Sequence, residues 1–317
     1  MPQHGPVKVV IVGAGYVGAT TAFALLRSGL VTELVLVDKN RAKAEGEAMD
    51  LSHAASLGPP VKIYAGGTAE CAGARIIIFA AGANQRPGET RLDLVHRNTA
   101  IVREALPPIV ASCPDAVIIM VTNPVDILTY VAWKISGLPV ERVLGSGTVL
   151  DSARFRHLIS RYLRVDPRNV HAYVIGEHGD TEVPVWSRAN IAGVELEDFL
   201  ALDGTPNLEA FKVETTHQVR EAAYEIIERK GATAYGVAVA LNRICESILR
   251  DENSVLTVSS LVQGLYGIED EVCLSLPCLI NKKGRHKILA VPLDSSERAA
   301  LRHSARTLRE VIEQLEL

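Results

Sequence analysis

The chain has 317 residues, 48% hydrophobic and 22% charged, with a net charge of −4; this is ordinary globular composition at a length that suits two domains. The slight negative charge offers no field for nucleic acid, no apolar run reaches the ~18 residues of a membrane span, and residues 1–6 lack a signal-peptide pattern. Cys71, Cys113, Cys245, Cys273 and Cys278 show no CxxC or other metal-ligand spacing, so they read as reduced thiols in the cytoplasm, with no metal, membrane or nucleic-acid partner expected.

Lys8–Val12 is a β-branched apolar run ending in Gly13-Ala14-Gly15-Tyr16-Val17-Gly18, and an apolar helical stretch follows over 19–27. Further strand-like runs are Glu33–Val37, which ends at Asp38, then 75–81 and 116–121. Near-continuous apolar strands separated by helices predict a parallel sheet covered on both faces. Residues 1–146 are therefore expected to form an α/β, Rossmann-type doubly wound domain.

From about Gly147 the pattern changes. Val149–Leu163 predicts a helix, and 170–175 predicts one strand leading into Gly176-Glu177-His178-Gly179-Asp180. Long helical stretches follow at Leu208–Lys230 and 232–249, then strand-like runs at 255–262, 272–280 and 286–291, and a final helix over 295–315. Helices and strands are grouped here, so residues 147–317 are expected to form an α+β substrate domain.

A GxGxxG turn counts when it follows a strand and opens a helix, as Gly13, Gly15 and Gly18 do. Such glycines permit the tight turn, the approach of a pyrophosphate and close helix–strand packing, with the Val17 amide at the helix N-terminus. Asp38 stands 20 residues after Gly18. A carboxylate there accepts ribose hydroxyls and repels a 2′-phosphate, which favours NAD over NADP.

Reduction of a 2-keto acid by such a cofactor needs a proton donor, a cation for the substrate carboxylate and a group that polarises the carbonyl. His178, in a glycine-flanked loop after a strand, suits the first role. Asp151 could fix its tautomer. Arg154 follows Asp151 by three positions, so one helix face carries both, and its guanidinium suits a carboxylate. Arg91 ends a glycine- and proline-containing segment, 81–91, that suits a mobile lid. Taken singly, Arg154 could equally form a surface ion pair with Asp151, and Arg91 could be a solvated loop arginine.

GAGYVG, AGANQRPGETR, VTNPVDILTY, GSGTVLDSARFR, IGEHGDTEVPVW and KGATAYGVA run in order along nearly the whole chain. Together they resemble the L-lactate/malate dehydrogenase family. The resemblance implies that His178 transfers the proton with Asp151 orienting it, that Arg154 binds the substrate carboxylate, and that Arg91 polarises the carbonyl from the lid. It also implies that Asn123 bonds the substrate oxygen and holds the nicotinamide side, and that Thr233 lines the substrate pocket. By the same resemblance Gly13, Gly15, Val17, Gly18, Asp38, Lys43, Tyr64, Gly82, Ala83, Val121, Asn123 and Ser146 contact NAD.

Gln85 separates the two branches of that family. The malate branch carries arginine there, whereas neutral Gln85 would leave the second carboxylate of oxaloacetate uncompensated. The expected reaction is thus the interconversion of pyruvate and L-lactate. A malate dehydrogenase, or a non-catalytic NAD-binding protein on the same scaffold, are the alternatives. The short segment before Gly13 resembles bacterial members, which implies a homotetramer activated by fructose 1,6-bisphosphate, with Arg156 and His171 as the effector residues. His171 and His178 are expected on opposite sides of one extended strand.

Overall fold

Strand β1 (Lys8–Val12) passes into helix α1 (Tyr16–Ser28). Then come β2 (Glu33–Val37), α2 (Arg41–Ala55), β3 (Lys62–Ala65), β4 (Ile76–Phe79), α3 (Arg91–Ser112), β5 (Val117–Met120), α4 (Val125–Ser136) and β6 (Val143–Gly145). The structure, a computed structural model, describes residues 7–83, 88, 90–203 and 208–315, with the backbone alone at Arg91, Leu202, Asp203 and Leu208. The six strands pair in parallel in the order β6-β5-β4-β1-β2-β3. The order reverses beside β1, so the crevice beyond the strand C-termini opens there, which is where doubly wound sheets hold ligands.

Alternate side chains of each strand serve opposite faces. Val10, Ile77 and Ile118 pack with Val102 and Leu106 of α3 and with Leu128 of α4. Val9, Ile76 and Ile119 pack on the other face with Leu25 of α1 and Ala44 of α2. This two-sided burial is why the strands read as unbroken apolar runs. Helix starts follow local chemistry: the Thr90 side chain accepts the Asp93 amide and the Asp93 side chain returns to Thr90, which starts α3 at Arg91.

The C-terminal half adds α5 (Val149–Leu163), β7 (Val170–His171), β8 (Val174–Ile175), β9 (Val183–Pro184), β10 (Asn190–Ile191) and β11 (Val194–Glu195). After these come α6 (Leu196–Asp203), α7 (Leu208–Lys230), α8 (Tyr235–Leu249), β12 (Ser254–Val262), β13 (Val272–Asn281), β14 (Gly284–Ile288) and α9 (Ser295–Ile312). Strands β12, β13 and β14 are antiparallel, and β12 joins β6 through Ser259 and Gly145, so one nine-stranded sheet runs through both halves. A further core gathers Phe155, Ile159, Leu200 and Phe211 from α5, α6 and α7.

One expectation fails here. Residues 170–175 are not a single strand: β7 pairs with β10, whereas β8 pairs with β9 in another sheet. His178 then lies in a loop beyond Gly176, whose φ is +87°. The alternation argument that set His171 opposite His178 has no continuous strand to act through. Short β3 and β6, and helix α2 with its many exposed positions, were absent from the sequence reading.

Candidate active site

Each segment that follows a parallel strand brings a residue to the crevice. After β1, Gly13 has φ +99°, and a Cβ there would lie 2.5 Å from the Ala81 nitrogen. At Gly18 a Cβ would lie 1.9 Å from the Gly13 oxygen, so two backbones touch where only glycine fits. At Gly15 a Cβ would meet nothing within 4 Å. Helix α1 starts there without a side-chain cap and without an acid in its first turn. Its first amides, including that of Val17, thus stand uncapped by any side chain at the positive end of the helix dipole, beside the open space at Gly15, which suits a pyrophosphate.

After β2, Asp38 is held by its own turn: Oδ2 accepts the Ala14 amide at 2.8 Å and Oδ1 the Asn40 amide at 2.9 Å. The carboxylate thus stands beside the glycine turn, at the place a ribose would take. Lys43 is exposed in the first turn of α2, and its amide donates to the Asn40 side chain. Tyr64 does not join this group. Its hydroxyl donates to Glu33 Oε1 at the start of β2, the end of the strand remote from Asp38. Tyr64 is therefore withdrawn as a cofactor contact, because its ring runs back along the sheet; burial, with the hydrogen bond and charge of Glu33, pushes its hydroxyl up to about 12.

Gly82 and Ala83 follow β4, Val121 and Asn123 follow β5, and Ser146 follows β6. Buried Asn98 of α3 ties two of these ends together: its Oδ1 accepts the Ala83 amide at 2.8 Å and its Nδ2 donates to the Asn123 carbonyl at 2.8 Å. The Asn123 side chain is exposed at this edge. Residues 84–87 and 89 of the segment expected to form a lid, Gln85 among them, lie outside the described residues, as does the side chain of Arg91.

Asp126, in the first turn of α4, extends the crevice into the C-terminal half. Its Oδ2 accepts the backbone amide of His178 at 2.7 Å. Burial pushes its carboxyl up to about 7, against the lowering pull of the nearby Ser259 hydroxyl and the His178 amide. The His178 loop is fixed from other sides too. Ser304 of α9 accepts the Glu177 amide at 2.7 Å, and Gly176 exchanges two backbone bonds with Ser275 of β13.

His178 Nδ1 donates to Asp151 Oδ2 at 2.6 Å, and Arg154 Nη1 donates to Asp151 Oδ1 at 2.7 Å. Asp151 is 2% exposed, Arg154 14% and His178 25%, so the shared carboxylate is sealed while both cationic partners reach the cleft. Burial alone would depress the imidazole, but the charge and hydrogen bond of Asp151 outweigh it and raise His178 to about 9. The same two partners hold the Asp151 carboxyl below the usual range despite its burial. An imidazole oriented through Nδ1 presents Nε2 for proton transfer, and a guanidinium anchored by one nitrogen keeps others for a second carboxylate.

Thr233 sits in the turn before α8. The Lys230 ammonium, at the end of α7, lies 5.8 Å from the Tyr16 ring centroid and 4.2 Å from that of Tyr235. This brings the end of α7 and the start of α8 near the first residue of α1, beside the glycine turn. Arg156 is partly buried near Tyr173, and His171 is exposed on β7. Sequence reasoning missed Asp126, Asn98, Ser304 and Glu182. An acid inside the apolar run after Asn123-Pro124 was the one available signal for Asp126. All five cysteines are free and buried, and burial pushes the Cys71 and Cys245 thiols up to about 12.

Comparison with known proteins agrees with this geometry. Residues 7–145 match the family model for the lactate/malate dehydrogenase NAD binding domain, and 148–316 match that for the lactate/malate dehydrogenase alpha/beta C-terminal domain. The chain is 70% identical to the L-lactate dehydrogenase of Moorella thermoacetica over 317 residues, 100% of both chains. It is 52% identical to that of Acetivibrio thermocellus over 310 residues, 98% of both. Among solved structures, the minor L-lactate dehydrogenase of Enterococcus mundtii in ligand-bound form superposes with a TM-score of 0.95 at 42% identity, covering 98% of this chain and 99% of that one. MGS-M5, a lactate dehydrogenase from a deep-sea metagenome library, gives 0.93 at 44% identity, with the same coverage. The doubly wound sheet with its open glycine turn is thus an NAD-binding domain, and the chain is an NAD-dependent member of the lactate/malate dehydrogenase family.

Proposed function

We propose that the chain interconverts pyruvate and L-lactate. The observation that carries this reading is the His178–Asp151–Arg154 constellation beside the NAD crevice. The identity to L-lactate dehydrogenases along the full length supports it. NADH, held by the glycine turn and Asp38, would supply the hydride for the keto carbon when bound. His178 gives its Nε2 proton to the keto oxygen, and Asp151 holds the ring in the tautomer that allows this. Arg154 grips the substrate carboxylate, and Asn123 bonds the substrate oxygen. Arg91 polarises the carbonyl from the lid, and Thr233 bounds the pocket. Gln85, being neutral, offers nothing to a second carboxylate, which disfavours oxaloacetate.

The division into residues 1–146 and 147–317 belongs to the same proposal, supported by the separate family matches to either side of Ser146. So do a cytoplasmic location, supported by the free cysteines, and a homotetramer. Exposed Phe23, Met49 and Val239 on α1, α2 and α8 are apolar side chains that a neighbouring subunit would cover. Fructose 1,6-bisphosphate is proposed as the effector, on Arg156 and His171. Arg156 follows Arg154 by two positions on α5, about 200° around the helix, so one faces the site and the other a neighbour.

NADH oxidation measured with pyruvate, oxaloacetate and other 2-keto acids tests the reading. The highest kcat/KM is expected with pyruvate; a preference for oxaloacetate would replace it with the malate branch.

A further inference from the structure

Glu182 lies four residues beyond His178, in a turn that its own amide closes by donating to the Gly179 carbonyl at 3.1 Å. It is 3% exposed, and its Oε1 is buried without a hydrogen-bond partner. The backbone on both sides is fixed. Val183 begins β9 against β8, and Arg220 of α7 donates to the Glu182 carbonyl oxygen at 2.9 Å. The carboxyl group therefore cannot turn out to water without opening this segment. The chemistry described so far gives it nothing to do.

The charged groups that face Glu182 are Asp151 and Arg154 of α5, His178 of its own loop and Arg220 of α7. Asp126 of α4 bonds the His178 amide. Arg220 donates to the Glu182 carbonyl oxygen, and its charge, with those of His178 and Arg154, favours the ionised carboxyl without outweighing burial and the charge of Asp151. An ionised Glu182 would be a buried anion with an unpaired oxygen, close to the carboxylate of Asp151. A substrate carboxylate on Arg154 adds another negative charge to the same closed space.

Resting on the pyruvate reading above, we propose that Glu182 is a proton-holding positioning residue for the His178–Asp151 pair: substrate binds only when Glu182 is the neutral acid. Binding then draws a proton from solvent onto Glu182 whenever it is ionised beforehand. That proton stays on Glu182 through turnover, and only the His178 proton is consumed by the keto oxygen. Burial and the charge of Asp151 push Glu182 up to about 8, so its ionisation falls on the alkaline side, close to that of His178.

The test compares the pH dependence of kcat/KM for pyruvate between wild type and Glu182→Gln. In wild type, loss of protons from both His178 and Glu182 should steepen the alkaline limb towards a slope of about −2 on logarithmic axes, and the carboxamide variant should show about −1. Asp126 titrates in both proteins and cancels in the comparison. A purely structural Glu182 would scale activity at every pH and leave the slope alone. As a second measurement, proton uptake on forming the complex with NADH and the pyruvate analogue oxamate is read by calorimetry in buffers of different ionisation enthalpy. Near pH 9 wild type should take up more than one proton. Equal slopes in an active wild type and variant overturn the Glu182 assignment alone, as does wild-type uptake that never exceeds one proton. A wild type without pyruvate turnover overturns the functional reading, and this inference with it.

Discussion

The carboxylate of Asp126 accepts the backbone N–H of His178 at 2.7 Å, although the two residues are 52 positions apart. This bond ties the first turn of α4, next to Asn123, to the loop that carries the proton donor. With the Ser304 and Ser275 contacts, this bond helps set the spacing between the cofactor edge and His178. Asp126→Ala leaves that amide unsatisfied and should cost about 1–3 kcal/mol of stability. Asp126→Asn keeps an acceptor and should cost less. Urea unfolding of both variants, run beside their kcat values, checks the order; an alanine variant as stable as wild type would contradict it.

Two glycines of one motif should behave differently when replaced by alanine. At Gly18 the new Cβ would fall 1.9 Å from the Gly13 oxygen, so the turn itself must open and the protein should lose stability. At Gly15 the Cβ meets no protein atom. Gly15→Ala should keep the Tm of the NAD-free protein while weakening NADH binding about tenfold, or roughly 1.4 kcal/mol. Fluorescence titration with NADH and thermal melts separate the two effects. A Gly15→Ala protein that binds NADH as wild type does would show that the pyrophosphate lies elsewhere.

Asp151 raises His178 to about 9 against the lowering effect of burial. A raised base keeps its proton through neutral pH. Pyruvate reduction uses that proton, so its kcat/KM should hold through pH 7 and fall on the alkaline side as Glu182, at about 8, and His178, at about 9, lose their protons. Lactate oxidation needs the neutral ring, so once Glu182→Gln removes the other alkaline ionisation it should rise over the same interval. Asp151→Asn removes the raising charge, so both midpoints should move down towards the free-histidine value of ~6.5 or below. Midpoints that stay in place would show that Asp151 does not set this proton affinity.

Much of this arrangement was legible in the sequence, for reasons that differ by residue. Lys8–Val12 and Glu33–Val37 stood out because both of their faces are buried, and the glycine turn between β1 and α1 was readable because a close approach permits only glycine. The Asp151, Arg154 and His178 set came from motif order. The helix brings Asp151 and Arg154 together locally, whereas His178 meets them only through tertiary packing. Asp126 left only the faint signal of an acid in an apolar run, and Glu182 left none, because burial beside a distant residue leaves no local pattern. Tyr64 was named from the resemblance alone, outside any of the quoted motifs, and its hydroxyl answers to Glu33 instead. Residues 170–175 look like one strand, yet their hydrogen bonds divide between two sheets.

The effector proposal makes a separable claim. Fructose 1,6-bisphosphate should lower the KM for pyruvate in wild type and have little effect on the double variant Arg156→Gln, His171→Gln. An effector shifts an equilibrium only by its different affinity for the two states, so saturable binding should accompany the change in KM. Steady-state kinetics with and without the bisphosphate, joined to calorimetric binding, decide it. A double variant that responds fully would move the effector site away from these residues.

The most direct measurement is made on His178→Asn, with pyruvate turnover and NADH affinity determined on the same preparation. Asparagine keeps a polar side chain at the site but cannot deliver the proton, and the NAD crevice is built from other segments. Turnover should fall by at least ~100-fold, the usual scale of general acid catalysis, while the Kd for NADH stays within about threefold, under roughly 0.7 kcal/mol. Turnover within a factor of a few of wild type would contradict the assignment of His178 as the proton donor, and with it the central claim about this site.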